Sequence, residues 1–262
     1  MSIQADKGFW VVYGQVFLFF YGAVFMIDAV IPTFVTVRSV QKGQPYPGQF
    51  WVNLLIANRS MFVKAGYLYL VEVLEPTGCT LLYRQPANSW LHVAYMIFCT
   101  VVLDLCYDTF FYFGHRLQHL NKWLYKNVHG VHHWDVCPRA MSAFSFHVVE
   151  ALIDYGGEFM LAFILPVNYR LYRGYILVSI ITHVGGHAGY EMAPVVPFSS
   201  GMAMLLLSPF KAASQINTVL HHDMHHRFPN ANFAIYFTHW DRLLKTEHPS
   251  YRHQAASSEV HD

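Results

Sequence analysis

Charge is what this sequence has least of. Asp, Glu, Lys and Arg make up 13% of its 262 residues, about half the ~25% of a soluble domain. They sum to a net charge of only +1. That balance provides no basic face for nucleic acid and makes no case for an acidic polymer as partner. Cysteine is equally sparse. Cys79, Cys99, Cys106 and Cys137 form no CxxC pair, which excludes a zinc ribbon and a disulfide framework and fits a reducing compartment. No HExxH motif occurs, so a zinc protease of the common kind is excluded as well. No internal repeat, low-complexity block or second soluble domain is evident.

Apolar residues fill the space that charge leaves. They amount to 54%, with 17% aromatic, and they fall in long runs. Phe9 to Ile31 is almost wholly apolar and long enough for the ~20 residues of a membrane helix. It is too long for a signal-peptide core, and no small-x-small site follows it. Pro32 to Gln49 reads as a loop. Trp51 to Leu74 is apolar but interrupted by Asn53, Asn58, Arg59, Lys64 and Glu72, and is either a second span or a helix lying against the bundle. Trp90 to Gly114 is the next strong span. Stretches 148–166 and 171–190 read as a helical hairpin that enters the membrane and returns, and 192–210 as a connector. The division expected is 1–89 for N-terminal membrane helices and loops, 90–245 for a catalytic domain, and 246–262 for a loose polar tail. The fold class expected is all-α, an integral membrane helical bundle with a cytosolic histidine-rich helical cap.

Histidine is the outlier, with 17 residues, and most of them are clustered. His115 and His119 are at i, i+4. His129, His132 and His133 are at i, i+3, i+4, and His222, His225 and His226 repeat that spacing with His221 just before them. On a helix such positions share a face, and neutral imidazole is a common ligand for iron, zinc and copper. Three arrays of this kind offer nitrogen for two metals. His187 is expected as a further ligand, since Gly185 and Gly186 let the backbone approach closely. His183 and His147 stay open as ligands.

Asp104, Asp108, Tyr112, His115 and His119 fall on one helical stripe. Ionisable residues in a membrane helix usually face the bundle interior. The two aspartates are therefore expected to point toward the histidines, where Asp108 would orient a ligand ring; Asp223 is a candidate of the same kind. Arg116, Lys122, Lys126 and Arg139 follow the span, and positive residues beside a span favour the cytosol. The clusters should meet on that face.

The runs HRLQH, HGVHH and HHDMHH, in that order and spacing, resemble the fatty acid hydroxylase / sterol desaturase superfamily. The similarity covers about residues 100–245, including DTFFYFGHRLQH, HAGYE and NANFAIYFTHWDRLL. The third box resembles cholesterol 25-hydroxylase-like members; the first two are closer to sphingoid-base hydroxylases. The resemblance implies an integral membrane enzyme of the endoplasmic reticulum whose two iron ions face the cytosol. It implies ligands at His115, His119, His129, His132, His133, His187, His222, His225 and His226, with His221 as a further one. It also implies O2-dependent hydroxylation of an unactivated C–H bond of a lipid drawn from the bilayer. Electrons would come from an external donor such as cytochrome b5 or a ferredoxin with its reductase. Two departures stand out: Val148 follows His147 where many members have proline, and Lys245-Thr246 stands where members often have Gly-Thr. Desaturation on the same centre is the alternative chemistry. A membrane zinc hydrolase or carrier and a non-catalytic protein with structural metal are the competing classes.

Overall fold

The computed structural model describes residues 8–41, 43, 48–192 and 217–251. Most of the connector expected at 192–210, and the tail from 252 onward, lie outside the described residues.

Helix α1, Phe9–Phe25, runs on through a π turn at Met26–Val30 into α2, Ile31–Phe34. The long α3, Gln49–Leu74, packs along α1 and α6. Helix α4, Trp90–Leu120, carries the first histidine pair in its last turns and is capped by Ser89. A short α5, Lys122–Asn127, and a 3₁₀ turn, His129–Trp134, follow. Next come α6, Val148–Met160, and α7, Tyr169–Gly186. After the undescribed connector come α8, Val219–Arg227, and α9, His239–Leu243. One small ribbon departs from the all-α expectation. Strand β1, Val37–Ser39, pairs antiparallel with β2, Tyr190–Met192, with Arg38 opposite Glu191.

Two helical segments, Phe9–Phe34 and Trp90–Leu120, are long and apolar enough to cross a membrane, and only 28% of each apolar window is buried. Such exposed apolar surface is unsuited to water, and this is the surface of a membrane protein. Helix α3 fails that test because it carries buried polar groups inward. Lys64 is paired with Glu158 of α6, and Glu72 with Arg173 of α7. The sequence leaves α3 as either a span or a helix against the bundle; in the structure it packs against α1 and α6, and its buried face carries two ionic residues, Lys64 and Glu72, among apolar ones. The expected hairpin resolves into a 13-residue α6 and an 18-residue α7. On α6, Glu150, Asp154 and Glu158 at i, i+4 and i+8 are all buried.

The tail is less loose than expected. Tyr251 is buried, the Asn232 amide donates to Thr246 O, and the His248 amide donates to Asn232 Oδ1. Lys245 has φ +56°, in the left-handed region that glycine occupies without penalty. The Gly-Thr of related sequences thus has a backbone reason.

Candidate metal centre

Nine histidine rings converge in two adjoining groups. His115, His119, His129, His133 and His225 form one; His132, His187, His222 and His226 form the other. Within each group the candidate ligand atoms lie within 4.8 Å of one another. These are the nine positions the resemblance implied, but not in the arrangement that helical faces suggested. Each three-histidine box straddles the centre. The turn at 129–134 sends His129 and His133 to one group and His132 to the other, and α8 sends His225 one way and His222 and His226 the other.

Hydrogen bonds fix which ring nitrogen is bare. His115 Nδ1 donates to Phe233 O at 2.8 Å, His225 Nδ1 to Ala231 O at 2.7 Å, and His129 Nδ1 to Glu150 Oε1 at 2.6 Å. In the second group, His187 Nδ1 donates to His183 O at 2.8 Å and His226 Nδ1 to Asp135 O at 3.0 Å. A neutral imidazole that donates from Nδ1 has only a lone pair at Nε2. Burial, and then the neighbouring imidazoles, push His129, His132, His133, His222 and His226 well below the usual imidazole range. The rings are therefore neutral, the form that binds metal.

Those lone pairs face one another at short range. His115 Nε2 is 3.1 Å from His129 Nε2. Two acceptors cannot hydrogen-bond, so bare nitrogens this close repel unless a cation lies among them. Ligands ~2.1 Å from one ion and at right angles to each other would be separated by about 3 Å, so the donor set fits two ions. Five rings exceed the four ligands that zinc usually takes, and imidazole suits iron equally well.

Three expected residues are turned elsewhere. His221 is fully buried, but its Nε2 lies 3.5 Å from Asp241 Oδ2 and its ring stands edge-on to Tyr251. It precedes His222 by one residue, about 100° around the helix, and so misses the centre. His147 caps α6, its Nδ1 accepting from the Val149 amide. Asp223 pairs with Arg227 one turn on.

The aspartates of α4 also do other work. Asp108 accepts from the Tyr236 and Phe237 amides at 2.7 and 3.2 Å and touches no ligand ring. It clamps the loop that follows the third cluster instead. Asp104 lies beside Tyr175 and Tyr236 rather than beside the histidines. His183 joins neither group. Its Nδ1 donates to Ser179 O, while its ring lines a cavity against the centre.

Two carboxylates that the sequence did not single out do support the ligands. Glu150 holds His129 directly. Asp241 accepts from the Phe233 and Ala234 amides at 2.9 Å each, fixing the carbonyl that orients His115. Glu150 stands three residues beyond His147, yet its partner is His129, 21 residues earlier in the chain. Asp241 belongs to the quoted FTHWDRLL run, but nothing local links it to a residue so far back.

The model of the fatty acid hydroxylase family matches residues 100–246. Cholesterol 25-hydroxylase of Homo sapiens is 31% identical over 63% of this chain and 56% of its own length. Methylsterol monooxygenase 1 of Gallus gallus is 34% identical over 53% of this chain and 43% of its own. Lathosterol oxidase of Mus musculus is 30% identical over 68% of this chain and 54% of its own. The chain thus spans about half the length of these relatives. No solved structure matches it. With its histidine boxes all inside the matched stretch, the chain belongs to the fatty acid hydroxylase family.

Proposed function

We propose that this chain is a membrane-bound, O2-dependent di-iron oxygenase that hydroxylates an unactivated C–H bond of a lipid. One observation carries the reading: two groups of imidazole nitrogens converge against a cavity whose walls include Phe111, Phe146 and Ile235. Iron bound at the two groups would supply O2 activation and C–H oxidation, and the protein would supply position and dryness. His115, His119, His129, His133 and His225 would hold one ion; His132, His187, His222 and His226 would hold the other. The Phe233 and Ala231 carbonyls and the Glu150 carboxyl keep three rings in the ligating tautomer. Phe111 and Phe146 exclude water from the carbon that reacts.

The relatives named hydroxylase, monooxygenase and oxidase support an oxidoreductase of sterol or similar lipid. On this reading the protein works in the endoplasmic reticulum membrane with the centre facing the cytosol. Its electrons come from cytochrome b5, or from a ferredoxin with its reductase. Lipid mass spectrometry of expressing cells under heavy-oxygen gas tests the reading. A new lipid carrying one heavy oxygen is the expected result. A new lipid lighter by two hydrogens and unlabelled would assign a desaturase on the same centre. No new lipid in a host with a working donor, together with zinc in the purified protein, would overturn the reading.

A further inference from the structure

The cavity has a polar floor that the metal groups do not use. Asp154 and His183 line it, and each is at least 96% buried. Asp154 accepts from Gln118 Nε2 through Oδ1. His183 spends its Nδ1 proton on Ser179 O, so its Nε2 is a pure acceptor, and that atom is buried without a partner. A buried acceptor left unsatisfied is costly. Thr182, whose hydroxyl already donates to Ser179 O, lines the same cavity. The polar lining therefore calls for a donor, and the aromatic lining, Phe111 and Phe146, calls for carbon.

Spacing along the helices gives the depth. His183 lies four residues before the ligand His187 on α7, and Asp154 lies four residues after Glu150, which holds His129. Four residues advance a helix by about 6 Å.

We propose that Asp154 and His183 form a subsite for a hydroxyl or amine of the lipid, so that the chain binds its substrate polar end first. The carbon oxidised then lies within a few bonds of a polar group the substrate already carries, not far along its tail. This rests on the lipid-oxygenase reading above and narrows the substrate class.

The position of the heavy oxygen, or of a new double bond, in the product is the first test. A change within about five bonds of an existing hydroxyl or amine, roughly the reach of one helical turn, is expected. A change farther down the chain would overturn the inference while leaving the oxygenase reading intact; the absence of any product would count against the oxygenase reading instead. The second test uses that product's parent lipid and its deoxy analogue in equilibrium binding to the purified protein. The parent should bind about 10- to 100-fold more tightly, the loss expected when a buried acceptor goes unpaired. In Asp154→Leu and His183→Phe that preference should fall toward one, with metal content unchanged. Equal binding of the two lipids by the unaltered protein would overturn the inference. So would loss of metal from His183→Phe, which would make His183 a ligand.

Discussion

Replacing Glu150 by Ala should loosen the five-histidine group without touching a ligand. The carboxyl is buried and accepts the Nδ1 proton of His129 at 2.6 Å. Alanine leaves that N–H buried with no acceptor, at a cost of about 1–3 kcal/mol, and frees the ring to shift its proton to Nε2, which cannot ligate. Loss of such a supporting partner typically weakens metal binding about 10–100-fold, or ~1.4–2.7 kcal/mol. The assay is metal retained by purified protein, by elemental analysis, against rising concentrations of a chelator. The midpoint should move to lower chelator by that factor in Glu150→Ala. Glu150→Gln, whose amide oxygen still accepts, should fall between the two. A titration of Glu150→Ala that overlays the unaltered protein would refute the claim that this carboxyl positions a ligand.

The remaining predictions concern other parts of the centre and its frame. His132→Ala and His225→Ala, one from each group, should each abolish product formation while the protein still inserts in membranes; full activity in either would sink the two-metal reading. His221→Ala should keep the full metal complement, because its ring faces Asp241 and Tyr251; metal analysis decides. Lys245→Gly should stabilise the fold by about 1 kcal/mol by relieving left-handed strain at φ +56°, and a thermal midpoint that falls would count against it. Burial raises the Glu191 carboxyl from an ordinary 4.5 to about 7. Its stabilising share is present in full below pH ~4.5 and is lost as pH rises to about 7. Glu191→Gln should flatten that slope in melts between pH 5 and 8, and a persisting slope would refute the assignment.

The histidine boxes could be read directly, because nine imidazoles at ligand spacing have few other uses. Their division into two groups could not. Spacing i, i+3, i+4 suggests one face, yet neighbours such as His132 and His133 point about 100° apart on a helix and wider on a tighter 3₁₀ turn. His187 was also found from its glycines, and α7 indeed ends at Gly186. The carboxylates misled for a physical reason. Asp108 lies on the histidine stripe of α4, but the backbone amides of Tyr236 and Phe237 return from far along the chain to claim it. Local periodicity carries no trace of such a long-range partner. The apolar runs at 9–31 and 90–114 correspond to helices, whereas α3 remained ambiguous because Lys64 and Glu72 find their counter-charges only in α6 and α7.

Because both the 129–134 turn and α8 contribute rings to both groups, two ions held as proposed would not bind independently. Whichever arrives first ties the turn to α8 and so orders ligands intended for the second. The entropy of fixing those segments is lost once, which makes the second ion bind more tightly than it would alone. Loading should be cooperative, giving chains with two ions or none and few with one, and a cell short of metal would hold fewer complete centres rather than many half-filled ones.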